Sequence, residues 1–219
     1  MLRRVWDAPQ AAGGNVKFVA IGALVVGVVG LGVTVAQLSG EPTLSGEELR
    51  ALGYRAYDVP RPIAAFELVD DDGGTFDQGR LSGRWSLVFF GYANCPDICP
   101  VTLSVLAEAE RLIGEGRFQT VLVSVDPERD TPERLDSYVG TFSPRFVAAT
   151  GSPHSVQQFA GSLGAAFRKA PSAGSELEYL VDHTGFIAVV DREARLAGYI
   201  RSPFEAVNIA RVVRALDRA

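Results

Sequence analysis

Residues 18–38, FVAIGALVVGVVGLGVTVAQL, run for 21 positions without a charged side chain. At ~1.5 Å rise per residue, a helix of that length covers the ~30 Å hydrocarbon core of a bilayer. Its glycines weaken a helix in water, but in lipid an unbroken backbone ladder matters more than propensity. The run predicts a transmembrane anchor and divides the chain into a tail (1–17), the span (18–38), a juxtamembrane linker (39–58) and a main domain (59–219). Arg3, Arg4 and Lys17 precede the span against one acid, Asp7, and the first charges after it are Glu41, Glu47 and Glu48. This asymmetry predicts an amino end in the cytoplasm or matrix and a main domain across the membrane. The expected location is a bacterial inner membrane with the domain in the periplasm, or a mitochondrial inner membrane facing the intermembrane space. A cleaved signal is the rival reading, since Thr34-Val35-Ala36 offers small residues at a cut site; the domain is exported either way.

Within the main domain, strand-like and helix-like stretches alternate. IAAFELVD (63–70), a turn at Asp71-Asp72-Gly73-Gly74 and TFD predict an amino-terminal hairpin. SLVFFGY (86–92) and TVLVSVD (120–126) are apolar runs too short for helices and suited to buried strands. Pro96 and Pro100 flank the start of the helix VTLSVLAEAERLIG, where their fixed φ and missing N–H are tolerated. Thr131-Pro132 and Ser152-Pro153 open two further helices, separated by the strand FVAATG (146–151). EYLVD (178–182) and FIAVVD (186–191) read as an antiparallel pair around His183-Thr184-Gly185, and Gly198–Ile200 as an edge segment. A last helix over 203–217 directs Val207, Ala210, Val213 and Leu216 inward. The order predicts an α/β domain with a mixed sheet covered on both faces, resembling an embellished thioredoxin fold. With 21 basic and 26 acidic side chains the net charge is −5, and no concentrated basic stripe suits nucleic acid.

Chemistry concentrates in GYANCPDICP (91–100), which holds both cysteines of the chain. Cys95 and Cys99 fall where a strand passes into a helix, beside free N–H groups and the positive dipole end, which favour thiolate over thiol. With Cys95 in the turn, the two sulfurs converge over the first helical turn. That arrangement serves a two-sulfur metal clamp or an exchangeable disulfide, and spacing alone does not separate them. The pattern is CxxxC, not the CxxC of ordinary dithiol oxidoreductases. Two cysteines fall short of a closed zinc site, whereas thiolates select soft ions, above all Cu(I). The third ligand must come from one of two histidines. His183, at the entry to the late strands, can approach the cysteine helix in a thioredoxin-like sheet, whereas His154 falls in a first helical turn facing solvent.

GYANCPDICP, VSVDPERDTPERL (123–135) and YLVDHTG (179–185) together resemble the SCO/SenC family, copper-binding assembly factors of cytochrome c oxidase. The resemblance implies a thioredoxin-like domain that handles copper, Cu(I) or Cu(II), bound for the binuclear centre of oxidase subunit II or another copper-accepting exported protein. A copper-donor chaperone would stand upstream. It also implies that Cys95 and Cys99 are the sulfur ligands and His183 the imidazole ligand. Asp97 between the cysteines matches an acid of the family, and Asp182 beside His183 can orient it. Asp126 and Asp130 read as residues that shape their turn. Many relatives carry GYTHCPD, where this chain has Ala93 and Asn94 in the Thr-His places; the departure bears on accessory contacts and not on the three ligands.

The main alternative is a thiol-disulfide reductase for an oxidase subunit or another exported protein, using Cys95 and Cys99 as attacking and resolving thiols. A peroxidase needs a peroxide-stabilising pocket for which the sequence offers no donor set. An inert structural disulfide would predict no affinity for copper.

Overall fold

Ser45 opens the first helix among the residues that the computed structural model describes, 44–114, 116–170 and 180–218, with the backbone alone for Asp182 and His183. Its hydroxyl accepts from the Glu48 N–H while the Glu48 carboxylate accepts from the Ser45 N–H, a reciprocal cap on α1, Gly46–Ala51. Strand β1, Tyr54–Pro62, follows directly, so the sheet takes in residues 54–58, which the sequence placed in a linker. β2 (Leu68–Asp70) and β3 (Thr75–Phe76) form the amino-terminal hairpin, shorter than IAAFELVD suggested. Asp70 closes its turn by accepting the Gly74 N–H at 2.6 Å. A single-turn helix α2, Gln78–Leu81, follows the hairpin.

The middle of the chain follows the predicted alternation: β4 (Trp85–Gly91), α3 (Ile98–Ile113), β5 (Phe118–Ser124), α4 (Pro132–Gly140), β6 (Val147–Thr150) and α5 (Pro153–Ser162). Thr131 and Ser152 cap α4 and α5 by accepting the N–H of Arg134 and Ser155. Beyond them lie β7 (Phe167–Ala170), β8 (Leu180–His183), β9 (Phe186–Val190), β10 (Arg195–Arg201) and α6 (Ala206–Asp217).

Among the described residues the main sheet runs β1-β10-β9-β4-β5-β6-β2-β3, with β4, β5 and β6 parallel and its other neighbours antiparallel. This is the expected thioredoxin-like α/β frame with an added hairpin. The core is the row Leu87, Val88, Phe89 and Phe90 of β4 against Val121, Leu122 and Val123 of β5 and Ile187, Ala188 and Val189 of β9, all essentially without solvent contact. A strand buried on both faces reads as a continuous apolar run, which is why β4 and β5 were visible in the sequence.

Three expectations change. The pairing of 178–182 with 186–191 does not form: β9 lies between β4 and β10, while β8 pairs with β7 in a separate two-stranded ribbon. The apolar run of β9 needs cover on both edges and both faces, which a lone hairpin cannot supply. Gly198–Ile200 is not an edge but part of β10, inside the sheet because β1 covers it. In α6 the expected Ala210 and Val213 are buried and Leu216 packs partly buried on the core, but Val207 is exposed, and Ile209 and Val212 join the inward face instead.

The transmembrane anchor is corrected too. No helix among the described residues is long and apolar enough to cross a membrane. The longest, α3, has 16 residues; at ~1.5 Å each it reaches about 24 Å, short of the ~30 Å core, and it carries Glu108, Glu110 and Arg111. The stretch 18–38 lies outside the described residues, and the membrane attachment and inner-membrane location inferred from it are not carried further.

Candidate metal and thiol site

The end of β4 sets the site. Tyr92 turns the chain out of the sheet, its carbonyl accepting the Cys95 N–H at 3.2 Å, and α3 begins three residues after Cys95. Gly91, the last residue of β4, leaves room for sulfur: a Cβ there would lie 3.0 Å from Cys99 Sγ, 3.0 Å from a Phe89 ring carbon and 3.1 Å from Leu122 Cδ1. Both cysteines are free thiols, Cys95 half-buried and Cys99 buried, and they are in hydrogen-bond contact. The sequence expectation that the head of a helix favours thiolate fails for Cys99. Burial pushes its thiol well above the ordinary range, the contact with Cys95 adds to the rise, and the Tyr92 backbone opposes it. Desolvation outweighs the helix dipole where no water reaches the sulfur. Asp97, the cap residue of α3, makes no side-chain bond to the helix end.

Tyr92 joins the cysteine turn to β8. It is buried, and its hydroxyl accepts the Val181 N–H at 3.2 Å, two residues before His183. The Arg129 guanidinium lies 5.9 Å from the Tyr92 ring centroid. Between the turn and β8 opens a pocket of about 440 Å³, lined by Tyr92, Cys95, Pro96, Asp97, Ile98, Leu180 and Val181. Its rim is apolar, with Ile98 and Leu180 nearly half exposed. The backbone of His183 ends β8 opposite Phe167; the side chains of His183 and Asp182 lie outside the described ones. Among the described residues no three His, Cys, Asp or Glu side chains form a metal-holding group. His154 is exposed on the first turn of α5, as expected.

Asp126 and Asp130 are both buried at the exit of β5. Asp126 pairs with Arg129 within its own turn. Asp130 does more than shape a turn: its Oδ2 accepts from Ser124 Oγ at 2.6 Å and from the Ala93 N–H at 3.1 Å. Burial pushes its carboxyl upward, these two bonds lower it, and Asp126 raises it. Arg134 Nε stands 3.6 Å from Oδ1, and the same guanidinium donates to Asn94 Oδ1. The sequence did not mark Tyr92, Gly91 or Asp130 as site residues. Its only signal was that all three sit inside two of the three motifs that carry the family resemblance.

The sequence profile of the SCO1/SenC family matches residues 56–217. A SCO2-like protein of Rickettsia prowazekii is 30% identical over 182 residues, 82% of this chain and 86% of the relative. The copper-bound crystal structure of Arabidopsis thaliana ScoI superposes with a TM-score of 0.67 at 32% identity, covering 72% of this chain and 100% of that one. The solution structure of apo Sco1 from Thermus thermophilus gives 0.67 at 33% identity, covering 74% and 95%.

Proposed function

Because the chain belongs to the SCO1/SenC family, we propose that it is a copper chaperone of cytochrome c oxidase assembly in which Cys95, Cys99 and His183 hold the metal. The observation that carries this reading is the pair of thiol sulfurs in contact at the head of α3, with Cys95 lining a pocket shared with Leu180 and Val181 of β8 and Tyr92 bonded to Val181 two residues before His183. Two sulfurs and one imidazole suit Cu(I), and the imidazole also accommodates Cu(II). Capture displaces the thiol proton that burial holds on Cys99, so metal and proton compete for that sulfur. The open pocket beside Cys95 gives an incoming partner ligand access to the metal, and its apolar rim suits a protein partner. The acceptor in this reading is the copper domain of oxidase subunit II, or another copper-accepting exported protein, and the donor is an upstream copper chaperone.

Competitive Cu(I) titration of the reduced protein tests it, with Cys95→Ser, Cys99→Ser and His183→Ala beside the wild type. Each substitution is expected to weaken binding by at least about tenfold. Equal affinity of wild type and both cysteine variants would overturn the reading; a loss confined to the cysteine variants would remove His183 from it.

The unequal exposure of the two sulfurs favours thiol-disulfide exchange as a second activity of the same pair. Cys95, the accessible one, attacks a partner disulfide as thiolate and expels one partner thiolate. Cys99 then loses its proton and attacks Sγ of Cys95, releasing the second partner sulfur and leaving a Cys95–Cys99 disulfide, so two electrons pass to the partner. Cys99→Ser should trap the mixed disulfide on Cys95, and this activity is removed if neither cysteine variant traps an oxidised partner.

A further inference from the structure

Asp130 lies outside the three-ligand set, and its environment is unusual for a turn residue. Asp70, Asp77 and Asp191 accept backbone N–H groups from within four residues; Asp71 does reach a distant one, that of Ala148, but from a part-buried position. The turn after β5 needs no such help, because the N–H groups of Arg129 and Asp130 already reach the Asp126 carbonyl at 3.1 and 3.0 Å. The Asp130 carboxylate instead crosses 37 positions to the Ala93 N–H. It is 1% exposed, and its Oδ1 makes no hydrogen bond among the described residues. Holding a carboxylate out of water with one oxygen unbonded is costly, and the contact it maintains is with the segment leading into Cys95.

A second tie runs parallel. Arg134, one turn into α4, reaches both Asp130 and Asn94, so the residues at positions 93 and 94 are both anchored to the β5–α4 junction. Asn94 stands where many relatives carry histidine, and here its side chain is engaged by an arginine. With the N–H of residue 93 fixed by a buried acid and the side chain of residue 94 by a cation, the residues ahead of Cys95 are held on two sides.

We infer that Asp130 is a positioning residue for the metal site: by clasping the Ala93 N–H, and through Arg134 the Asn94 side chain, it sets where the Cys95 sulfur stands relative to Cys99. The inference rests on the copper reading above and adds to it a residue that touches neither metal nor sulfur ligand. Geometry of this kind is lost gradually when a support is removed, because the ligands remain and only their separation relaxes.

The molecule supplies its own control. Glu110, on the same helix as Cys99 but eleven positions on, is another buried carboxylate held by a serine and an arginine: its Oε2 accepts from Ser143 Oγ at 2.6 Å and pairs with Arg145 at 3.1 Å. Asp130→Ala and Glu110→Ala both remove a buried, bonded acid, so both should lower the unfolding midpoint. Only Asp130→Ala is expected to weaken Cu(I) binding by the full-length reduced protein, by about tenfold. Asp130→Asn, whose amide oxygen still accepts from Ala93, should return to within about threefold of wild type. Equal Cu(I) affinity of Asp130→Ala and Glu110→Ala would overturn the inference. If Asp130→Ala fails to fold, Arg134→Ala decides: its side chain is half exposed, a loss of about threefold is expected, and wild-type affinity would overturn the clasp. A wild type that binds no Cu(I) would sink the copper reading instead. The clasp is then judged by amide exchange at Ala93, expected to lose protection in Asp130→Asn less than in Asp130→Ala; equal protection in wild type and both variants would overturn it.

Discussion

The cysteine turn and the ribbon that carries His183 are held to the molecule by different forces. On the cysteine side β4 is buried from Ser86 to Gly91, and Cys99 sits against it with no solvent contact. On the ribbon side, β7 has Arg168 and Lys169 exposed, Val181 and Phe167 rest on the core, and polar ties to the rest of the described residues include Val181 to Tyr92 and Lys169 to Glu128. The cysteine side is fixed by close packing, which tolerates shifts of tenths of an ångström; the ribbon adds directional bonds that can be removed one at a time. Substitutions on the first side should therefore be felt as stability, and on the second as metal grip.

Gly91 offers the largest break. Alanine there places a methyl 3.0 Å from Cys99 Sγ, with Phe89 and Leu122 closing the other directions, all three neighbours being buried. Overpacking of this kind costs about 1–3 kcal/mol. Denaturant unfolding of Gly91→Ala should show that loss, and Cu(I) titration a weaker site, because one of the displaced atoms is a proposed ligand. A variant as stable as wild type would mean that the frame yields and that the two sides are not held so differently.

Next comes the proton on Cys99. Burial raises its folded-state pKa above the unfolded value, so its contribution to stability is fully present below the ordinary thiol pKa of about 8.5 and is lost as pH rises toward the folded value. Above pH ~8.5 the reduced wild type should lose about 1.4 kcal/mol of unfolding free energy per pH unit more than Cys99→Ala does. Parallel curves for the two proteins would show that burial does not hold the proton.

On the ribbon side, Tyr92→Phe keeps the ring and removes the hydroxyl that accepts from Val181. About 1 kcal/mol of stability should go with the bond, together with a measurable fall in Cu(I) affinity although both cysteines remain. Unchanged affinity would detach the ribbon, and His183 with it, from the metal site.

The same division explains what could be read from the sequence. β4, β5 and the helices capped by Thr131 and Ser152 announce themselves because continuous burial, and proline after a capping hydroxyl, leave local marks. Phe167–Ala170 carries no such mark: FRKA is half polar, and only its partner across the chain makes it a strand. That missing partner is also why LVD was assigned to FIAVV, the nearest apolar run. Cys95 and Cys99 were legible as a pair because they are adjacent in sequence. Cys99, expected to ionise at the helix head, is instead held as a thiol by burial against the end of β4 at Gly91, which its own helix does not contain. Asp130 looked like a turn residue because its partner, Ala93, contributes only a backbone N–H, and a sequence does not display which N–H a carboxylate will find.

The smallest effect belongs to Lys169 and Glu128, 2.6 Å apart with both side chains about half exposed. An ion pair so open to water is worth about 0.2–1 kcal/mol and fades as salt is added. Lys169→Ala should thus shift stability by no more than that at low ionic strength and by nothing measurable at high, with Cu(I) affinity close to wild type in both. The comparison with Tyr92→Phe is what makes the measurement useful: the two substitutions cut different ties of the same ribbon, one buried and one exposed. If removing the lysine weakens copper binding more than removing the tyrosine hydroxyl, and salt reproduces the effect in the wild type, then charge across the ribbon sets its position, and the buried Tyr92–Val181 bond follows from that placement.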